Sequence, residues 1–124
     1  MGTRVAERSK AGKGQPTGSG ALDERAAVGV LIEVLKERAR QEAKWGQQNH
    51  PDGTGREDDD RLASLARTFC NDQAAAGQLT WRDILEEEVF EAFAETDREK
   101  LRAELLQVSA VAAAWAEAID RRGT

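Results

Sequence analysis

The sequence predicts an all-α protein built as a four-helix bundle. Residues that favour helices, namely alanine, glutamate, leucine and arginine, dominate the 124 positions. The only prolines, Pro16 and Pro51, lie outside the segments with the strongest hydrophobic periodicity. No segment alternates apolar and polar residues over the length of a strand. These observations predict helices and no sheet.

The first predicted helix covers residues 21–45. Large aliphatic residues recur there at helical spacing, namely Val28, Leu31, Ile32 and Leu35. Gly46 follows, and glycine is a typical residue at the C-terminal end of a helix. Residues 47–57 are polar and contain Pro51 and two glycines, so they are predicted to form a loop.

The second predicted helix begins at the acidic run of residues 58–60, because acids favour a helix N-terminus, and it ends near Gly77. Its apolar stripe consists of Leu62, Leu65, Ala66 and Phe69.

The third and fourth predicted helices are recognised by their N-terminal signals. Thr80 is a good N-cap for a helix over residues 81–95. Thr96 and Glu99 form a capping-box pattern, so the last helix is predicted from about Asp97 to Arg121. Its apolar stripe comprises Leu101, Leu105, Val108, Ala112, Trp115 and Ile119.

Composition divides the chain into two regions. Residues 1–20 are rich in glycine and polar residues and are predicted to be a disordered basic tail, while residues 21–124 form one helical domain. The tail holds four basic residues and one acid, a net charge of +3, so the total of −5 leaves −8 on the domain. An acidic domain binds nucleic acid poorly, so we do not expect a nucleic-acid partner.

Cysteine usage and hydropathy indicate a cytoplasmic protein without a membrane partner. Cys70 is the only cysteine, so no intramolecular disulfide can form. The N-terminus has no apolar leader segment, and the longest apolar run, residues 108–119, is too short to span a bilayer.

Two acidic motifs carry the strongest functional signal. In each, a carboxylate is followed three residues later by another oxygen donor: Glu88 by Glu91, and Glu104 by Gln107. On a helical wheel, Glu88 falls inside the apolar sector of its helix, while Glu91 and Glu104 border theirs. If the two helices form an antiparallel hairpin, these side chains converge as oxygen ligands suited to Mg²⁺. The alternative is a salt-bridged or solvated acidic face.

At these residues the chain resembles the MazG-like family of all-α nucleoside triphosphate pyrophosphohydrolases. That family is marked by an E-x-x-E motif followed, a dozen or more residues later, by an E-x-x-D motif. In this chain residues 88–91, preceded by Glu87, correspond to the first motif, and residues 104–107 correspond to the second. Residues 37–51, with Lys44-Trp45-Gly46-Gln47-Gln48-Asn49-His50-Pro51 at their end, are similar to short phage and actinobacterial members. Gln107 departs from the family's Asp, and Phe90 stands where a small residue is common.

The resemblance implies hydrolysis of a nucleoside or deoxynucleoside triphosphate to a monophosphate and pyrophosphate. Its implied cofactor is Mg²⁺, with Mn²⁺ as a substitute, held by Glu88, Glu91, Glu104 and Gln107. Its implied catalytic residues are Glu87, Glu88 and Glu91, with Glu87 or Glu91 orienting the attacking water. A domain of about 100 residues gains from oligomerisation, because the fraction of surface that is buried rises with size, so we expect a homodimer or homotetramer.

Four further residues are candidates for contacts with the nucleotide substrate. Trp45 has a face on which a base can stack, Asn49 can read a base edge, Lys44 can meet phosphates, and His50 belongs to the same block. The alternatives are a core position for Trp45, a solvated Lys44 and a turn position for His50. At the level of the whole protein, the alternative to an enzyme is a non-catalytic helical interaction or nucleotide-binding protein that retains the fold.

Overall fold

A computed structural model describes residues 20–122 of the chain. These residues form four α-helices: α1 (Glu24–Trp45), α2 (Asp59–Ala75), α3 (Trp81–Ala94) and α4 (Arg98–Arg122). No strand occurs among residues 20–122. The predicted all-α class is therefore confirmed. The predicted tail lies almost wholly outside the described residues, so its disorder stays a prediction.

Local capping explains where α1 and α3 begin and where α1 ends. The Asp23 carboxylate accepts a hydrogen bond from the Ala26 backbone N–H (3.1 Å) at the start of α1. Gly46, with a φ of +69°, ends this helix and donates its N–H to the Glu42 carbonyl (2.8 Å). Thr80 caps α3, as predicted, and forms a reciprocal capping box with Asp83.

The predicted cap of α4 is wrong by one residue. The Asp97 side chain, and not that of Thr96, accepts the hydrogen bond from the Lys100 backbone N–H (3.0 Å), and the helix begins at Arg98. Glu95 contributes as well, because its Oε2 accepts from the backbone N–H groups of Thr96 (3.0 Å) and Asp97 (3.1 Å). The side chains of Glu95 and Asp97 therefore satisfy backbone N–H groups of the connection between α3 and α4 and of the first turn of α4.

The described residues separate into two compact units. One consists of residues 53–112 and holds α2, α3 and the first part of α4; the other consists of residues 20–52 and 113–122 and holds α1 and the end of α4. In the first unit, α2 and α3 pack against each other. The connection of residues 76–80 is short, as in an antiparallel helical hairpin. None of the helices within residues 20–122 combines the length and apolarity that crossing a membrane requires.

The buried apolar positions coincide with the predicted stripes only at Ala66 and Leu101. On α2 the interior is formed by Ala63, Ala66 and Cys70, whereas Leu65 and Phe69 are about half exposed. On α4 the buried residues are Leu101, Glu104 and Val111, and the predicted Leu105 and Ile119 are exposed. The large side chains therefore line faces that a single copy leaves open, and small apolar residues with several glutamates occupy the interior.

On α1, too, the buried residues differ from the predicted apolar ones. Ala27 and Val30 are its buried residues, while the predicted apolar residues are exposed: Val28, Leu31, Ile32 and Leu35. Helical spacing correctly identified the secondary structure, but it could not establish that neighbouring elements cover this face.

Candidate metal centre

Three buried carboxylates form the core of the candidate site. Glu88 and Glu91 belong to α3 and Glu104 belongs to α4; one carboxylate oxygen from each lies within 4.8 Å of the others. Glu88 and Glu91 are completely buried, and Glu104 is 1% exposed. Such convergence is close enough for all three side chains to bind one metal ion.

Two local features bring these carboxylates together. Glu88 and Glu91 are three residues apart on one helix, so their side chains lie on the same face. The capped turn at Glu95 and Asp97 connects α3 to α4, and Glu104 lies in the second turn of the new helix. The proximity predicted for the two acidic motifs is thus realised for three of their four members.

Two more glutamates are buried in the same compact unit. Glu87 is 1% exposed and Glu95 is 8% exposed. Glu86, by contrast, lies on the outer side of α3, with Nε of Arg82 3.7 Å from its Oε2. Burying carboxylates is costly unless protons or cations compensate their charge. Glu95 already accepts hydrogen bonds from the backbone N–H groups of Thr96 and Asp97, so it is the convergence of Glu88, Glu91 and Glu104 that makes this unit a candidate for cation binding.

Arg67 on α2 contacts the carboxylate cluster directly. Its Nε and Nη2 donate hydrogen bonds to Oε1 of Glu91 at 3.2 and 2.8 Å. Since two donors of a rigid guanidinium meet one oxygen, the bonds orient Glu91 and also contribute a positive charge. The sequence analysis missed Arg67. It lies four residues after Ala63 and three residues before Cys70, so it borders the buried small-residue face of α2 and lies away from the stripe of large apolar side chains. No local pattern in the sequence identifies it.

Asn71 is a second polar residue of α2 that the sequence analysis missed. It lies one helical turn after Arg67, and α2 and α3 are antiparallel neighbours. The turn of α3 opposite Asn71 is therefore the one before Glu91, which contains Glu87 and Glu88. Oδ1 of Asn71 is buried and accepts no hydrogen bond from any described residue, so an amide oxygen is available on this side.

Gln107 lies one turn after Glu104 on α4 and is half-buried. Its position on the helix allows the side-chain amide to approach the carboxylate cluster from the same face as Glu104. An amide oxygen contributes a ligand without adding negative charge.

The candidate substrate-binding residues lie in the other compact unit. Lys44, Trp45, Asn49 and His50 are all exposed. Trp45 is 63% exposed, so the alternative that it packs in the core is wrong. Nζ of Lys44 lies 4.8 Å from the Trp45 ring centroid, and Nε2 of His50 is hydrogen-bonded to Oε1 of Gln48 at 2.9 Å.

Phe90 lines an apolar groove on α2 and α3. The groove has a volume of about 320 Å³ and is bordered by Leu62, Leu65, Ala66, Phe69 and Glu86 together with Phe90. Phe90 also packs edge-to-face on Phe93, with ring centroids 6.4 Å apart. On the helical wheel Phe90 lies roughly 160° from Glu88, so the groove and the carboxylates occupy different sides of α3.

No protein-family model, curated protein or solved structure matches this chain.

Proposed function

We propose that this protein is a Mg²⁺-dependent nucleoside triphosphate pyrophosphohydrolase built on a MazG-like four-helix bundle. The observation that carries the proposal is the convergence of Glu88, Glu91 and Glu104 at a buried point. The sequence pattern that gives the family resemblance supplies these same three residues. Buried oxygen ligands on two helices fit a hard divalent cation such as Mg²⁺, and Mn²⁺ can use the same ligands.

Glu88, Glu91 and Glu104 would hold the metal, with Gln107 as a neutral fourth ligand. Bound Mg²⁺ would neutralise phosphate charge and lower the pKa of a bound water. Arg67 would keep Glu91 in the orientation that its two hydrogen bonds define. Because three carboxylates, one amide and the Arg67 guanidinium together carry a net charge of −2, the site would favour the cation and repel a triphosphate that arrives without one.

Glu87 is the best placed general base in the proposed reaction. It is buried beside Glu88 in the sequence but does not belong to the group of three convergent carboxylates. Its carboxylate would take a proton from water as the water oxygen attacks the α-phosphorus. The bond from that phosphorus to the bridging oxygen would break, pyrophosphate would leave with the bond electrons, and the monophosphate would retain the new oxygen. Glu87 would then return its proton to solvent.

The exposed block of residues 44–50 carries groups suited to contacts with a nucleotide. The Trp45 ring is available for stacking, and Asn49 and His50 present polar atoms at the surface. Lys44 contributes positive charge beside this ring. We propose these four residues as the substrate-binding set.

We also propose that the protein is a homodimer or homotetramer. Among the described residues, thirteen large hydrophobic side chains are exposed, and twelve of them are distributed over all four helices. Monomeric proteins seldom expose so many large apolar side chains in contiguous patches, so association of copies is the simplest way to cover them.

Pyrophosphate release from a panel of ribo- and deoxyribonucleoside triphosphates tests the proposed activity. The variants to compare are Glu88→Gln, which alters the site, and Glu86→Gln, which alters a glutamate on the same helix whose side chain is 42% exposed. We expect release that requires Mg²⁺ or Mn²⁺, is retained by Glu86→Gln and falls at least 100-fold in Glu88→Gln.

The absence of pyrophosphate release from folded protein with every nucleotide would overturn the enzymatic proposal. If the thermal stability of that protein were also unchanged by Mg²⁺ or Mn²⁺, the alternative of a non-catalytic helical interaction or nucleotide-binding protein would replace it.

A further inference from the structure

The aliphatic side chains of α1 form a continuous exposed stripe. Val28, Leu31, Ile32 and Leu35 are 51%, 55%, 47% and 68% exposed. At about 100° per residue they occupy a sector roughly 100° wide, adjacent to the buried side that holds Ala27 and Val30. An amphipathic helix in a single-copy protein normally buries such a sector. We call these four residues the α1 stripe.

The size of the α1 stripe suits a reversible protein contact. Four aliphatic side chains that are about half exposed present on the order of 400 Å² per chain, the size of patches that mark interaction sites. Two such stripes facing each other would bury on the order of 800 Å² in total, below the roughly 1,200 Å² of stable specific interfaces and in the range of weak, transient contacts. The expected dimer is therefore of micromolar affinity and depends on concentration.

The charges at the two ends of the α1 stripe determine the direction of pairing. Glu24 lies seven residues before Leu31, and Arg38 lies seven residues after it. All three fall within about 40° of one another on the helical wheel, so they share one side of α1. Antiparallel pairing about a two-fold axis at Leu31 brings Glu24 of each copy opposite Arg38 of the other. Parallel pairing would place like charges together.

We infer that two copies of this protein associate through antiparallel contact of their α1 helices, with a two-fold axis at Leu31. The inference specifies a surface for the proposed homo-oligomer and does not depend on the enzymatic activity. A second copy fits this surface better than a lipid membrane. The helix Glu24–Trp45 carries four acidic and five basic residues, whereas membrane-surface helices have a polar face dominated by lysine and arginine.

Sedimentation equilibrium of the full chain between about 1 and 100 µM tests whether the α1 stripe is an interface. We expect reversible dimerisation by the wild type and a Kd at least 30-fold higher for Leu31→Asp. Leu106→Asp is the matched control, since Leu106 is 54% exposed but lies on α4. Circular dichroism checks that both variants keep their helices. Equal association of Leu31→Asp and wild type would overturn the inference, as would a wild type that is monomeric throughout and binds instead to vesicles of anionic phospholipid.

Charge reversal tests the antiparallel direction. Glu24→Arg alone and Arg38→Glu alone should each raise the dimer Kd about ten-fold, because each creates two like-charge contacts in a symmetric dimer. The double variant should return the Kd to within about three-fold of the wild type. Arg38 also contacts Glu42 of its own helix at 3.3 Å, so the effect of Glu24→Arg is the cleaner measure. A double variant that associates no better than either single variant would exclude this pairing.

Disulfide cross-linking locates the axis and does not depend on a destabilising variant. In antiparallel pairing, position 31 faces itself across the axis, whereas position 28 faces position 34. Leu31→Cys should therefore form a covalent dimer under mild oxidation, and Val28→Cys should form far less. Cys70 is 1% exposed and can remain in both variants. Equal cross-linking at the two positions would indicate parallel pairing, and none at position 31 would place the axis elsewhere.

Discussion

Replacing Glu88 by glutamine should change stability in opposite directions with and without metal. Glu88 is completely buried, and its carboxylate is one of three whose ligand oxygens lie within 4.8 Å of one another. Glutamine has nearly the same shape but no charge. The substitution therefore removes repulsion from the metal-free protein and removes a metal ligand from the loaded protein.

The size of the repulsion follows from the geometry of the site. Two charges 4.8 Å apart repel by about 3.5 kcal/mol at an effective dielectric constant of about 20. Glu88 takes part in two of the three pairs, a gross repulsion of about 7 kcal/mol. Protonation limits this cost, because converting an ordinary glutamate to its neutral form at pH 7 requires only about 4 kcal/mol. The metal-free variant should thus be more stable than the wild type by about 2–4 kcal/mol, or roughly 10 °C in Tm.

Urea unfolding in EDTA and in Mg²⁺ or Mn²⁺ measures both effects. A metal present at 100 times its Kd should stabilise the wild type by about 2.7 kcal/mol and Glu88→Gln by much less. Glu86→Gln should behave like the wild type in both conditions, because Glu86 lies outside the site. A Glu88→Gln protein that is less stable than the wild type in EDTA would refute this prediction, as would a wild type that unfolds at the same urea concentration with and without metal.

Three further substitutions test other parts of the structure. Gly55→Ala should lower the free energy of unfolding by about 2–4 kcal/mol, because Gly55 has a φ of +76° and an added Cβ would collide with Cγ2 of Thr96. Urea unfolding measures this change. The control Gly53→Ala should lose clearly less free energy of unfolding, because its Cβ would meet only a side-chain nitrogen at 3.8 Å. Gly29→Ala should increase the free energy of unfolding by about 0.5–1 kcal/mol and so raise Tm, because Gly29 is within α1 and an added Cβ would meet no atom within 4 Å. A lower Tm would mean that this face is covered. Gln107→Asp should lower the Kd for Mg²⁺ about ten-fold in calorimetric titration, because it adds a charged ligand, and an unchanged Kd would show that residue 107 does not bind the metal.

Much of the helical structure could be predicted from local sequence. The four helices begin and end within three residues of their predicted limits, because periodicity and capping act over one or two turns of the chain. The error at α4 also has a local cause. Thr96 and Asp97 are adjacent residues that can both cap a helix, and Asp97 accepts the bond from Lys100.

The carboxylate cluster was only partly accessible to the same reasoning. The spacing of Glu88 and Glu91 places both on one helix face, and this follows from the sequence alone. The wheel placed Glu87 farther from the inward sector, yet Glu87 is 1% exposed in the folded chain. When a helix is covered on several sides, its buried face is wider than the face occupied by its apolar residues. A helical wheel based on apolar residues therefore underestimates the width of the buried face.

Contacts between distant segments could be learned only from the tertiary structure. Arg67 and Glu91 are 24 residues apart, and no local pattern pairs them. In the same way, the apolar spacing of Val28, Leu31 and Leu35 defines a helix face without specifying what covers it. The sequence by itself determined the helices and the acidic pairs, because hydrogen bonds and side-chain periodicity within a helix depend on near neighbours. The tertiary structure decided which faces are buried and which charges meet, because those depend on how separate helices pack.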